Sequence, residues 1–149
     1  MPMEQNNQDK PIISPEKYAD ILNGIDLISL YLKSSKCSVD PDDFEESGIQ
    51  LIVQDDASFE INENKEVLVI HKYRLSAKKQ NSRKRSLYIE CEYYLRFSSN
   101  EVFSEEFFDI FKKINLPINS WPFFREYAHS MTARMNLPPL TLPLFKRNI

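Results

Sequence analysis

Four residues in this sequence are of the types that bind zinc: Cys37, Cys91, His71 and His129. None of them is spaced as a CxxC or HxxxH pair, the short spacing by which zinc ligands usually come together. Cys91 alternates with apolar residues, which predicts a small buried side chain, and nothing local activates a Cys91–His129 nucleophilic pair. We therefore expect no metal site, no cysteine-dependent activity and two reduced thiols.

Glu90 and Glu92 are two residues apart on a predicted strand, so both carboxylates point to one face and could act as an acid/base pair. Arg96 lies on the same face, and carboxylates on an exposed strand face are more often solvated charge. The only glycines are Gly24 and Gly48, so neither a GxGxxG nor a Walker-type loop is present. An enzyme is the weaker hypothesis, and we expect no cofactor and no use of ATP.

Residues 72–85 contain seven basic residues and no acidic one. The stretch KKQNSRKR at residues 78–85 could contact phosphates. No aromatic residue interleaves these bases, as a single-strand binder would need, so a solvated hairpin tip is the favoured interpretation. Nucleic-acid binding is therefore the weaker interpretation and is kept as an alternative function from a different class.

The composition of the 149-residue chain limits the class of protein to which it can belong. With 42% hydrophobic and 28% charged residues and a net charge of −3, one soluble domain is expected to fold without disulfide or metal. No apolar run is long enough to span a membrane, and the N-terminus is polar, which predicts no membrane insertion and a cytoplasmic protein. We assign residues 1–20 to a flexible polar leader and residues 21–149 to the folded domain.

Four β-strands are predicted, at residues 25–33, from Ile49 to Val53, at residues 65–77 and at residues 86–98. The fourth alternates most cleanly, as a half-buried antiparallel strand does. The first is apolar on both sides. Simple alternation places Ile25, Leu27 and Tyr31 on one face and Ile28, Leu30 and Leu32 on the other.

Helices follow from caps and spacing. Ser14 and Pro15 can open a short helical turn that ends near Gly24, and Ser104 can cap a phenylalanine-rich helix. After a break at Pro117, the last helix is predicted to begin with Pro122 in its first position. It is expected to stop at Asn136. Its predicted apolar stripe consists of Trp121, Phe124, Ala128, Met131 and Met135. The order ββββαα predicts an α+β fold, with a four-stranded antiparallel sheet followed by two C-terminal helices on one face.

The apolar residues exceed what one small sheet and two helices can bury. The excess lies in the first strand, the phenylalanine-rich helix and a tail of alternating leucines at residues 137–145. Surplus apolar surface on a soluble protein usually marks a subunit interface or a binding groove. We therefore predict one of these two kinds of surface.

The segment WPFFREYAHSMTARMNLPPLTLP, at residues 121–143, resembles the C-terminal pattern of the SecB protein-export chaperone family. The matching positions are Trp121, Pro122, Phe123, Arg125, Glu126, Ser130, Met131, Arg134, Pro138, Leu140, Leu142 and Pro143. The segment YLKSSKCSVDP, at residues 31–41, is similar to the end of the family's first strand. The predicted order of strands and helices also agrees with that family.

This resemblance implies an ATP-independent holdase that binds unfolded polypeptides in hydrophobic grooves and assembles as a homotetramer, a dimer of dimers. It implies client contacts at Phe44, Ile49, Leu51, Val53, Trp121, Leu140, Leu142 and Phe145. It also implies that Glu90 and Glu92 face the SecA export motor. Basic residues make that face mixed in charge, however, and the alternative is a SecB-like chaperone dedicated to the antitoxin of a toxin–antitoxin module.

Overall fold

The computed structural model describes residues 12–45, 49–80 and 82–146. The elements, in chain order, are α1 (Pro15–Asn23), β1 (Ile25–Val39), a 3-10 turn (Pro41–Glu45), β2 (Ile49–Ile61), β3 (Val67–Lys79), β4 (Arg85–Ser99), α2 (Glu105–Phe111) and α3 (Asn115–Arg134). The α+β class and the four antiparallel strands are confirmed. The predicted order needs one correction, because α1 precedes the strands. No helix in these described stretches is long and apolar enough to cross a membrane.

The sheet has the order β1-β4-β3-β2, so β3 and β4 lie in the centre and β1 and β2 form its edges. One face, here called the inner face, packs against the helices, as in the stacked rings of Tyr73 and Phe124, whose centroids are 4.9 Å apart. Along β3 from Val67 to Lys78 and along β4 from Leu87 to Ser98, buried and partly buried residues alternate. The alternation predicted for the fourth strand is therefore confirmed.

Strand β1 is longer than predicted and does not alternate regularly. Its pairing with β4 shifts register between Leu27 and Ser29 and again between Leu32 and Ser34. Each irregularity adds a residue and reverses the faces that follow it. Leu27, Leu30 and Leu32 therefore all lie on the inner face, opposite inward residues of β4, whereas Tyr31 lies opposite Tyr94 on the outer face. The predicted assignment of faces was wrong for this reason.

The two short helices begin at their predicted caps. The side chain of Ser14 accepts a hydrogen bond from the Lys17 amide at 3.2 Å, and that of Ser104 accepts one from the Phe107 amide at 3.2 Å. Helix α1 buries Ile21 and thus crosses the boundary placed at residue 20. Residues 1–11 of the predicted leader lie outside the described residues. Helix α2 buries three phenylalanines against the sheet.

Helix α3 starts earlier than predicted, at Asn115, and includes both Pro117 and Pro122. Pro117 is the third helical residue, where the missing N–H has no partner inside the helix, so it does not break the helix. Burial of one face compensates for the bond lost at Pro122, which costs about 3 kcal/mol. The buried row has a spacing of four and runs through Leu116, Ser120, Phe124, Ala128 and Thr132. The predicted stop is confirmed, because Asn136 has a φ of 59°.

Candidate functional site

On the inner face, the edge strand β2 exposes apolar side chains. Leu51 and Val53 pair with the buried residues Ala77 and Leu75 of β3, so they share the inner face with them. They nevertheless remain 46% and 41% exposed. The helices therefore leave this end of β2 uncovered, and a leucine and a valine at the sheet edge are available to a partner.

Two open cavities continue along β2 toward α2. One, of about 480 Å³, is lined by residues 55–57, Lys112, Lys113, Pro117 and Phe145. The other, of about 410 Å³, lies between residues 57–59 and helix α2 and has Phe108 in its lining. Ala57 and Lys112 line both cavities, so the two cavities form one depression. We call this depression, together with the exposed side chains of Leu51 and Val53, the β2 groove.

The floor of the second cavity is aromatic. The ring centroid of Phe59 on β2 lies 4.7 Å from that of Phe108 and 4.9 Å from that of Phe103. Glu105, Glu106 and Asp109 of α2 form the polar rim. An apolar floor with a polar rim is the arrangement that protein surfaces use to bind extended or helical segments of a partner.

The chain after α3 folds back along that helix. The Thr132 hydroxyl accepts a hydrogen bond from the Leu140 amide at 2.9 Å, and Arg125 Nε donates to the Leu142 carbonyl at 2.8 Å. Trp121 Nε1 donates to the Pro143 carbonyl at 2.8 Å. These bonds bring Phe145 to the first cavity of the β2 groove.

This path changes the roles expected for the tail. The side chain of Leu142 is only 4% exposed and belongs to the core, so it does not lie on the open surface with Leu51. Leu140 and Trp121 are partly buried against the same core. Phe44 and Ile49 are also partly buried. Of the eight predicted client contacts, Leu51 and Val53 are exposed on β2, and Phe145 lines the cavity beside residues 55–57 of the same strand.

A buried polar network lies directly behind the β2 groove. His71 on β3 is completely buried, and its Nε2 lies 2.8 Å from the carboxylate of Asp55 on β2, which is half exposed. Because a carboxylate only accepts, Nε2 carries the proton. On the other side of the ring, Nδ1 lies 2.9 Å from Ser120 Oγ, which in turn is 2.7 Å from the Tyr73 hydroxyl. The network joins the edge strand to α3.

Each member of this network has a partner, as buried polar groups require. Burial raises the pKa of Tyr73 well above its ordinary value, so the phenol keeps its proton and can donate to Ser120. This network was not predicted from the sequence. The available signal was the presence of one histidine and one aspartate on otherwise apolar strand faces, but spacing alone could not pair them across two strands.

The two cysteines and the two histidines lie in different surroundings. Within the described ranges no group of three or more His, Cys, Asp or Glu residues could hold a metal ion. Burial raises the pKa of the Cys91 thiol to about 12, which keeps it protonated and unreactive. His129 is exposed on α3. Cys37 Sγ lies 3.3 Å from the Tyr127 hydroxyl, which links β1 to α3.

No protein-family model and no curated protein sequence matches this chain. Among solved structures the chain is similar to Mycobacterium tuberculosis Rv1957, a SecB-like chaperone in complex with a ChAD peptide from the Rv1956 HigA1 antitoxin. The TM-score is 0.73 at 18% sequence identity, over 90% of this chain and 99% of the Rv1957 chain. The fold is that of a SecB-like chaperone.

A protein of unknown function from Streptococcus agalactiae gives a TM-score of 0.40 at 11% identity, over 80% of this chain and 97% of that one. The SecB-like fold that the resemblance of residues 121–143 implies is confirmed by the match to Rv1957.

In this SecB-like fold the outer sheet face is where Glu90 and Glu92 were expected to meet a motor. Lys72 Nζ lies 3.9 Å from Glu90 and 3.8 Å from Glu92, and Arg74 Nε donates to Glu90 at 3.4 Å. Partial burial raises the pKa of Glu90. The hydrogen bond from Tyr88 and the charge of Lys72 outweigh this effect and hold that pKa below its usual value. Both carboxylates are thus paired with bases of the same chain.

The basic hairpin between β3 and β4 lies against the acidic turn after β1. Lys84 binds Asp40, and Lys79 Nζ lies 3.1 Å from Asp43. A hydrogen bond from Ser86 and another from Lys79 lower the pKa of the Asp43 carboxyl. Aspartates of the same chain therefore pair with some of the lysines that would have to bind a phosphate backbone. This favours the hairpin-tip interpretation over nucleic-acid binding.

Proposed function

We propose that this protein is an ATP-independent SecB-like chaperone that holds a non-native polypeptide in the β2 groove, and that its physiological client is an antitoxin. The observation that carries the proposal is the open edge of β2, where exposed apolar side chains lie beside a continuous, aromatic-floored groove. Holding a client in this way involves no catalytic step and no cofactor.

The edge of β2 offers two kinds of contact to an unfolded chain. The strand has 13 residues, so at a rise of about 3.4 Å per residue it presents an edge of about 44 Å. Along its whole length, one edge of the β2 backbone is paired with β3. The opposite edge is left for strand addition by a client. The inward side chains of the added strand would then lie over Leu51, Val53 and the groove.

Self-association is supported at the opposite edge of the sheet. Leu27 and Leu32 are exposed on the inner face of β1. Phe123 of α3 is exposed as well, with its ring 6.4 Å from that of Tyr93, the residue paired with Leu32. We define Leu27, Leu32 and Phe123 as the β1 patch. Burying it between copies of the chain would remove part of the apolar surface that is still exposed, and this supports the proposed self-association.

An antitoxin is the favoured client for two reasons. Rv1957, which shares this fold, is itself bound to an antitoxin peptide. In addition, Glu90 and Glu92 are engaged by Lys72 and Arg74, so docking to the SecA motor would first require these pairs to break. Service in general protein export is therefore the second candidate.

The proposal is tested by diluting a chemically denatured reporter protein into buffer that contains the chaperone and no nucleotide. Wild-type protein should suppress aggregation near one oligomer per client, also at high salt, because apolar contacts are not screened. The double variant Leu51→Asp/Val53→Asp should lose at least tenfold in effective affinity for the client, since each charge would be desolvated on binding.

The matched control places two aspartates at exposed apolar positions away from β2. Ile12 and Val102 are both highly exposed, and Ile12→Asp/Val102→Asp should behave as wild type. Full activity of a folded Leu51→Asp/Val53→Asp protein would remove the β2 groove as the client site. Failure of the wild type on several reporters, together with failure on antitoxin segments, would refute the chaperone function itself.

A further inference from the structure

Asp55 differs from every other inward residue around it on β2. Its neighbours on the inner face are Leu51 and Val53 on one side and Ala57 and Phe59 on the other, all of them apolar. The Asp55 side chain is 50% exposed and lines the larger cavity of the β2 groove. A single half-exposed carboxylate in this otherwise apolar row of β2 is placed where a client side chain would meet it.

The carboxylate is fixed from behind. Asp55 Oδ2 accepts from His71 Nε2 at 2.8 Å, and the His71 ring is held at its other nitrogen by Ser120, which also binds Tyr73. All three supporting residues are buried. Within the described part of the chain His71 is the only hydrogen-bond partner of the Asp55 carboxylate, so Oδ1 is left for a ligand. A group held in place before binding loses little entropy when it binds.

The lining of the cavity indicates which ligand suits this carboxylate. Its only ion-pair partner in the described residues is His71, and no lysine or arginine pairs with it. Lys112, which also lines the cavity, is 3.5 Å from Asp109 and lies over the ring of Phe108. Phe145 and Pro117 offer apolar surface. A guanidinium group both binds a carboxylate and stacks on apolar or aromatic surface, so an arginine fits this combination better than an ammonium group.

We propose that Asp55 is the specificity-determining residue of the β2 groove and binds an arginine of the client. This inference rests on the function proposed above. Because alternate residues of an added strand face the same side, apolar residues two positions before and after the arginine would lie over Val53 and Ala57. The recognised segment therefore has the pattern apolar-x-Arg-x-apolar in an extended conformation.

The experiment uses the full-length protein and two fluorescent nine-residue peptides with alternating apolar residues. One peptide carries arginine at its centre and the other carries norleucine there. By fluorescence anisotropy, wild-type protein should bind the arginine peptide about tenfold more tightly, the range expected for a partly desolvated charge pair. Asp55→Asn should abolish this difference, since it removes the charge but keeps a side-chain oxygen that can accept from His71.

Glu60→Gln is the matched control, because Glu60 lies on the outer face of β2, opposite Leu68, and lines neither cavity of the β2 groove, so its loss should leave the preference intact. Equal binding of both peptides by wild type, or an unchanged preference in Asp55→Asn, would overturn this proposal alone. The proposal would also be overturned if wild-type protein bound a third peptide, with glutamate at its centre, more tightly than the arginine peptide. That result would point to Lys112 and Lys113 as the binding residues. If no peptide binds any variant, the β2 groove is refuted and this inference falls with it.

Discussion

The two edges of the sheet expose apolar side chains in different ways. Strand β1 has two register shifts in its pairing with β4, and its exposed residues lie on both faces, with Leu27 and Leu32 on the inner one and Tyr31 on the outer one. Strand β2 pairs with β3 in one unbroken register through 13 residue pairs and borders a groove. Bulges protect an edge from strand addition, whereas a regular edge invites it.

This difference divides the surplus apolar surface into two parts. At β1 an irregular backbone presents side chains, which suits packing against another copy of the protein. At β2 a regular backbone and a polar anchor, Asp55, lie together, which suits an extended client. On this account the two edges can be disabled separately.

The largest expected effect is on assembly. Leu27→Asp/Leu32→Asp should convert the proposed oligomer to a smaller species, because two charges would have to be desolvated at each copy of the interface. The measurement is molar mass by light scattering after size exclusion. Leu51→Asp/Val53→Asp serves as the control and should keep the mass of the wild type. An unchanged mass for the β1 variant would show that β1 is not the self-association surface.

The second effect is on stability and separates the core part of the tail from its exposed part. Leu142→Ala should lower the free energy of unfolding by about 2 to 4 kcal/mol, because it leaves a cavity beneath α3. Leu144 is exposed, and Leu144→Ala should change that free energy by less than about 0.5 kcal/mol. Urea unfolding of both variants measures the difference. Equal, small effects would mean that Leu142 does not belong to the core.

Local signals in the sequence predicted much of this fold. Ser14 and Ser104 begin helices because a serine oxygen satisfies a free amide, and Asn136 ends one because it tolerates positive φ. The alternation of β3 and β4 was readable because both strands are regular. The apolar surplus was visible as composition, but its location was not: the phenylalanines of α2 and Leu142 are buried, whereas side chains of β1 and β2 stay exposed.

What the sequence did not reveal depends on contacts between distant residues. The bulges of β1 are set by its pairing with β4, so simple alternation assigned the wrong faces. Pro117 was predicted as a break because its position within the helix was unknown. The pair of Asp55 and His71 joins two strands, and Leu142 is buried through bonds from α3.

The central claim is that clients bind at the edge formed by β2. The most direct test is hydrogen exchange, followed by mass spectrometry, on the full-length protein with and without the saturating arginine peptide. The account predicts slower exchange of amides in β2, residues 49–61, and no change in β1, because an added strand would occupy the free backbone side of β2 alone. Protection confined to β1 or to the outer sheet face would contradict it.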